Sequence, residues 1–343
     1  MMNHMNYFEP EKDTMSSLQH NKIFKYEQDE SLKIKYLQIE PTNVCNLNCQ
    51  FCSRKFKNQA PKHLSLPELE RITDQFEEIR FIKLQGLGEC FFAPNLADQL
   101  AHLKRRYADV RIMCSSNLNY RKTDGEISEV LENLDLLYLS IDGGNKETYE
   151  RIRRGGDWDT CMATLSQFAK LKREHNEYSL NFIASGDNYR DIASVVRLAE
   201  DMGLDEVRIN PVQDWTTNNR LTQSQNYCNP EYIEELRKWH FHDSPKCNVI
   251  VVGDPCFEYT KCIWPFERVY IDVYGAVFVC VISLDDRWSY GNILRQPLEE
   301  IYASQFMKSI RHGLKNNKPP IHCRTCSYKQ LAPCLRSVKG DCL

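Results

Sequence analysis

The sequence predicts an α/β chain: a partial, open (β/α)6 barrel of TIM-like type, followed by a small β-hairpin plus helix unit. Three observations lead there. Strand-like and helix-like segments alternate six times with short connections, the pattern of a parallel sheet with helical crossovers. The loops after the strands carry Gly, Ser, Asn, Asp and Cys, as expected where a barrel-like sheet gathers its chemistry at the carboxyl ends of its strands. Later the alternation stops and cysteines return in a new arrangement. Six units are too few for a closed eightfold barrel, so the expected sheet is open. The expected boundaries are a polar lead-in over 1–31, the barrel over 32–242, and the small unit with its tail over 243–343.

Leu32 to Ile39 alternates as a strand does and leads directly into a cysteine loop. Leu64 to Glu78 has helical spacing, with Ser65 as its N-cap. Phe81 to Leu84 is the second strand and enters Gln85-Gly86-Leu87-Gly88-Glu89-Cys90. Pro94 to Arg106 is an amphipathic helix, and Val110 to Cys114 a strand ending in Ser115-Ser116-Asn117. A short helix over Gly125 to Asn133 precedes the fourth strand, Leu136 to Ser140, which ends in Ile141-Asp142. Lys146 to Arg151 and Trp158 to Glu174 are helical, and Leu180 to Ala184 is the fifth strand. Tyr189 to Met202 is a helix closed by Gly203, and Glu206 to Asn210 is the sixth strand, stopped by Pro211. A long aperiodic stretch, 212–229, is expected to be a functional loop. After a helix over Pro230 to His240, Phe266 to Asp272 and Ala276 to Ile282 form a hairpin turning at Tyr274-Gly275. Pro297 to Gly313 reads as one helix, begun by its proline and ended by its glycine.

Composition narrows the function classes. A chain of 343 residues with 42% hydrophobic and 27% charged residues can bury a sizeable core. Its net charge of -3 disfavours a nucleic-acid binder or a membrane-surface protein. The most apolar stretch, Val269 to Leu284, is interrupted and too short to span a bilayer. Fifteen cysteines without an apolar export signal point to a reducing cytoplasmic setting, where thiols serve metals or redox chemistry.

The cysteine loop has the spacing C-x3-C-x2-C, with Cys45, Cys49 and Cys52 directly after the first strand. A [4Fe–4S] cubane held by three thiolates keeps one iron open to a small molecule, which is a catalytic arrangement. The competing reading is part of a zinc site or a set of unrelated buried thiols.

This loop, with aromatic Phe51 before its last cysteine, resembles the cluster loop of the radical SAM superfamily, and the likeness runs over roughly residues 33–330. The resemblance implies that Cys45, Cys49 and Cys52 hold a [4Fe–4S] cluster whose open iron is chelated by S-adenosylmethionine, with Phe51 near the adenine. Gly86, Gly88 and Glu89 are similar to the family's glycine-rich segment after strand two; glycines admit the backbone close to the methionine ammonium, which Glu89 can accept. Ser115, Asn117, Ser140 and Asp142 resemble the family's polar contacts to the cofactor's methionine and ribose. Arg153 matches an arginine near the cofactor carboxylate. Cys90 stands where the family usually has proline. A thiol there is a candidate hydrogen-atom donor, against the commoner role of a small buried hydrophobe.

Cys262, Cys280, Cys323 and Cys326 supply four thiolates, two from the hairpin region and two from a C-x2-C knuckle after a helix. Four thiolates fully ligate a cubane or hold a tetrahedral zinc, and spacing does not choose. The surrounding Asp272, Gly275, Gly291-Asn292 and Leu298 to Tyr302 pattern resembles the SPASM/twitch extension of radical SAM enzymes, which implies an auxiliary [4Fe–4S] cluster. Cys256, Cys334 and Cys342 remain unassigned, so one auxiliary cluster is expected rather than two.

The resemblance implies an oxidoreductase that generates a 5′-deoxyadenosyl radical and takes a substrate hydrogen atom, giving dehydrogenation or epimerisation. The expected substrate is a small molecule such as a sugar or aminocyclitol, and the expected reductant a flavodoxin or ferredoxin. A maturase of a ribosomally made peptide is the alternative within the family. A non-catalytic iron–sulfur or zinc protein is the alternative outside it.

Overall fold

The computed structural model describes residues 34–212, 229–240, 242, 244, 246–252, 262–281, 289–320, 323 and 326. The lead-in, most of the 212–229 loop, Cys256, Cys334, Cys342 and the tail lie outside the described residues.

Seven parallel strands form the body: β1 Tyr36–Ile39, β2 Phe81–Leu84, β3 Arg111–Ser116, β4 Leu136–Ser140, β5 Glu177–Ala184, β6 Glu206–Pro211 and β7 Asn248–Val251. They pair in chain order, each strand lying beside its sequence neighbour. The crossover helices include α1 Leu66–Thr73, α2 Leu96–Arg106, α3 Asp124–Glu132, α4 Lys146–Ile152, α5 Trp158–Leu171, α6 Ile192–Asp201 and α7 Pro230–His240. Beyond them lie α8 Trp264–Glu267, β8 Arg268–Ile271, β9 Ala276–Phe278, β10 Ser289–Asn292, α9 Leu298–Ala303 and α10 Gln305–Lys315.

Strand parity divides the molecule. Leu37, Ile39, Ile82, Leu84, Ile112, Leu137, Leu139, Leu180, Phe182, Val207 and Ile209 are at most 1% exposed and pack on the helices in one large core. On the opposite, inner face the same strands carry Gln38, Lys83, Gln85, Ser115, Ser140, Asn181, Arg208 and Asn210. Below them a small apolar plug of Phe81, Met113, Leu136 and Tyr138 closes the strand beginnings, with Tyr36 against it. A polar lumen over a floor of mostly apolar side chains, where Tyr138 keeps a hydroxyl and Lys83 lies beside it, is what an open barrel needs to admit a polar ligand from the carboxyl end.

The alternation and the Ser65 cap stand: Ser65 Oγ accepts from the Glu68 amide and the Glu68 side chain returns to Ser65. Several extents differ. The helix expected to run to Glu78 ends at Thr73, because the Thr73 carbonyl accepts from the Tyr107 hydroxyl at 2.7 Å and the following turns tighten. Phe266 belongs to α8, with Pro265 in its first turn, so the hairpin arm begins at Arg268. The last helix is two. Ser304 leaves the helical region and caps α10 by accepting from the Met307 amide. Gly313 lies inside α10, where a Cβ would meet the Lys318 carbonyl at 2.6 Å; it permits a close approach and does not stop the helix.

Two features of the sheet are absent from the sequence reading. β7 adds a parallel strand beyond β6. The hairpin does not stand apart: β8 pairs in parallel with β1, and β9 and β10 continue the same ten-stranded sheet. The cysteine-bearing C-terminal region is thereby fixed beside the loop that follows β1. Among the described residues no helix is long and apolar enough to cross a membrane.

Candidate active site

The cysteine loop leaves β1 and is fastened at both ends. Asn43 donates to the Ala60 carbonyl at 2.8 Å and accepts from the Lys62 amide at 2.7 Å, while Leu64 N donates to the Pro41 carbonyl. Farther on, Asn48 N and Gln50 N donate to the carbonyls of Arg154 and Ile152 at the end of α4. The three thiols are half-buried electrostatic neighbours. Burial pushes the Cys49 thiol up to about 12 and raises Cys45 as well. Sulfurs held in such surroundings are poor free thiolates and need a positive partner to ionise. Phe51 is buried against Ile152 and Val212.

The segment after β2 explains its glycines. A Cβ on Gly88 would stand 2.2 Å from the Thr42 carbonyl, and one on Gly86 2.3 Å from the Glu40 carboxylate. The loop after β2 therefore closes on the Thr42 backbone and the Glu40 side chain only where its own side chains are missing. Glu89 is 3% exposed, and its carboxylate accepts from the amides of Phe91 at 3.2 Å and Asn117 at 2.6 Å. Asn117 in turn donates to Asn46 at 2.9 Å and approaches Cys45 Sγ at 3.6 Å. Glu89 and Asn117 thus tie the loops after β2 and β3 to the cysteine loop.

Sequence reasoning missed Glu40, which is fully buried at the end of β1. One of its oxygens accepts from the Leu87 amide and the other from the Val273 amide of the hairpin turn at 3.1 Å. Burial pushes Glu40 up to about 7, against the pull of those two amides. A carboxyl with a folded-state pKa above its unfolded value binds its proton more tightly when folded. Stability is then greatest below about 4.5 and is lost as pH rises through about 7. The shift corresponds to about 3 kcal/mol between those limits. Urea unfolding between pH 5 and 8 is expected to show this fall, with a shallower fall in Glu40→Gln.

Arg153 and Asp142 form a buried pair at 2.8 Å beside the cluster loop. Burial pulls Arg153 down, but Asp142 and then Cys49 push it further up, so it stays cationic. Asp142 also accepts from the Ile183 amide at 2.7 Å, so both of its oxygens are engaged and it orients Arg153. The Arg153 Nε is buried with no hydrogen-bond partner, a donor aimed at an acceptor the chain does not supply. Ser115 and Ser140 are half-buried on the inner face, at the ends of β3 and β4.

Cys90 is 1% exposed and lies in the core between sheet and helices. Its thiol donates to the Leu84 carbonyl at 3.0 Å and adjoins buried Cys114. This is the setting of a small structural thiol, away from the inner face.

The C-terminal thiols also converge. Cys262 and Cys323 are each pushed up, first by burial and then by their neighbours: Cys280 and Cys326 for the former, Cys280, Cys262 and Cys326 for the latter; Cys262 reaches about 12. The Cys326 amide donates to the Cys323 carbonyl at 3.1 Å, closing the knuckle. Among the described residues no three His, Cys, Asp or Glu crowd round one point as the ligands of a single ion do. A cubane spreads its thiolates over four irons and does not require that crowding.

Comparison with known proteins decides the family. The radical SAM superfamily model matches residues 39–209, and the SPASM iron–sulfur cluster-binding domain matches residues 262–327. The chain belongs to the radical SAM superfamily. This radical SAM protein shares 22% identity over 336 residues with the tungsten-containing aldehyde ferredoxin oxidoreductase cofactor-modifying protein of Pyrococcus furiosus, covering 90% of this chain and 92% of the other. It is 23% identical to a probable GTP 3′,8-cyclase of Methanocaldococcus jannaschii, over 50% of this chain and 57% of that protein. Among solved structures, anSMEcpe with bound AdoMet superposes with a TM-score of 0.64 at 18% identity, covering 87% of this chain and 88% of the other. Streptococcus suis SuiB bound to S-adenosylmethionine gives 0.64 at 14% identity, over 82% and 68%. As a radical SAM enzyme with a SPASM domain, the chain takes a [4Fe–4S] cluster, S-adenosylmethionine and auxiliary iron–sulfur ligation.

Proposed function

We propose that Cys45, Cys49 and Cys52 hold the S-adenosylmethionine-binding [4Fe–4S] cluster, and that the enzyme takes a hydrogen atom from a small molecule in the barrel lumen. The observation that carries this reading is the set of features gathered round the three thiols: glycines that close the loop after β2 onto the end of β1, a buried carboxylate, and an arginine whose Nε has no partner. When bound, the cofactors supply reductive cleavage of the sulfonium, a carbon-centred radical that abstracts hydrogen, and an electron acceptor at the second site. Arg153 offers its open Nε to the cofactor carboxylate, with Asp142 holding the guanidinium in place. Gly86 and Gly88 let the loop after β2 close on Glu40 and Thr42, which sets Glu89 where it meets the methionine ammonium. Phe51, Ser115, Asn117 and Ser140 complete the cofactor surface, while Cys90 is assigned to packing.

Cys262, Cys280, Cys323 and Cys326 are proposed to ligate one auxiliary cluster, whose full complement of thiolates favours electron uptake over substrate binding. Oxidation of the substrate is therefore preferred over epimerisation. The name of the Pyrococcus furiosus relative, which matches along nearly its whole length, supports a small-molecule substrate. Peptide modification ranks second because it rests on likeness of fold to proteins solved with peptides. A flavodoxin- or ferredoxin-like reductant and a cytoplasmic setting belong to the same proposal.

Iron counting tests the auxiliary site. Fully loaded protein is expected to hold about eight irons per chain, and Cys323→Ala/Cys326→Ala about four, with formation of 5′-deoxyadenosine retained. An unchanged iron count in the double variant would remove these residues from the ligand set.

A further inference from the structure

The floor of the lumen carries a charge that the catalytic proposal does not use. Lys83 sits on the inner face of β2, with its ammonium 5.8 Å from the centroid of the Tyr138 ring. Arg208, on β6, lies 5.3 Å from the same centroid and has its own counter-ion, Glu206 at 3.2 Å. The other lumen acids are also engaged: Glu177 with Arg111 at 3.0 Å, and Asp142 with Arg153. Among the described residues no carboxylate pairs with Lys83. Two further polar atoms on the inner face lack partners. The Tyr138 hydroxyl is buried with no hydrogen bond, and so is Gln85 Oε1, two residues on from Lys83 and just past the end of β2.

We infer that the lumen floor is a binding subsite for an oxyanion of the substrate, a carboxylate or a phosphate, with Lys83 as its ion partner and the Tyr138 hydroxyl as a donor. Burial, followed by the like charges of Arg208 and Arg268, pushes Lys83 down to about 7. An ammonium in that position is poorly stabilised by the chain alone, and one aromatic ring offsets little of the loss. An incoming anion supplies the missing charge and accepts from Tyr138, while Gln85 takes a hydroxyl or amine donor of the same molecule. Lysine presents a compact point charge with three donors, suited to one oxygen of either acid. The reaction proposed above would then act on an acidic, hydroxyl- or amine-bearing substrate anchored at the floor, with its reacting carbon toward the strand ends.

This inference rests on the lumen being the substrate chamber, but its test reads binding without turnover, so either can fail alone. The full chain, reconstituted anaerobically, is titrated calorimetrically with inorganic phosphate and separately with acetate. Wild type is expected to bind at least one of them. Lys83→Met is expected to bind that anion at least about tenfold more weakly, and Tyr138→Phe about threefold. Tyr138→Phe should fold normally, because its lost hydroxyl has no partner in the chain. Heat with phosphate alone assigns a phosphorylated substrate, and heat with acetate alone a carboxylic acid. No binding of either anion by wild type, or equal affinity in Lys83→Met, overturns the inference.

Discussion

Replacing Cys49 with alanine is expected to bring formation of 5′-deoxyadenosine below about one-thousandth of wild type and to remove about four irons per chain. Cys49 is the middle cysteine of the loop, and neither neighbouring sulfur can reach round to replace it. Asn48 N and Gln50 N are fixed to the carbonyls of Arg154 and Ile152, and the Cys52 amide to the Cys49 carbonyl. The backbone therefore stays where it is when the sulfur is lost. Cys49 is only half-buried, so the fold should tolerate the change, and circular dichroism should match wild type. The irons that remain should follow Cys262, Cys280, Cys323 and Cys326. Wild-type turnover in Cys49→Ala would exclude this loop as the initiating site.

The second large effect is expected at Arg153. Its side chain is 8% exposed and that of Asp142 4%, at a separation of 2.8 Å. Arg153→Met keeps the bulk and removes the charge, leaving the Asp142 carboxylate buried without its cation. Losing one partner of such a pair costs about 3–5 kcal/mol. The loss should depend on pH with a definite sign. Burial already holds Asp142 above its ordinary value against the pull of Arg153, and losing the guanidinium raises it further, so protonation favours the folded variant. The deficit should therefore be largest near pH 8 and shrink toward pH 5. Asp142→Asn together with Arg153→Met should recover part of the stability, since no buried charge remains. It should not recover cofactor affinity, because the open Nε is still missing. Urea titrations of the single and double variants separate the two outcomes, with S-adenosylmethionine binding measured in parallel.

The cysteine loop is legible in the sequence for a local reason, whereas Arg153 is expected from the family resemblance alone and its pairing with Asp142 only from the fold. The three thiolates proposed for the first cluster come from one short loop, so Cys45, Cys49 and Cys52 stand out by their spacing. The strand–helix alternation is likewise a local periodicity, and β2 and β4 fall at the expected residues. What was hidden depends on contacts distant in sequence. Glu40 becomes a link only because β8 lies beside β1, bringing Val273 to it across 233 residues. Lys83 reads in sequence as an ordinary strand lysine, and only sheet register turns it toward the lumen. Cys90 misleads in the opposite sense. Its closeness to Glu89 suggests the reaction chamber, whereas the single turn Cys90–Phe92 carries its thiol to the helix side of the sheet. The break at Ser304 rests on one capping hydroxyl inside an otherwise helical pattern.

These features converge on one claim, that the chain cleaves S-adenosylmethionine at the mouth of its barrel. The direct measurement is the yield of 5′-deoxyadenosine from anaerobically reconstituted wild-type protein given S-adenosylmethionine and dithionite, with iron and sulfide loading verified on the same sample. Formation of 5′-deoxyadenosine that disappears in Cys49→Ala is the expected result. No 5′-deoxyadenosine from fully loaded wild type would contradict the account.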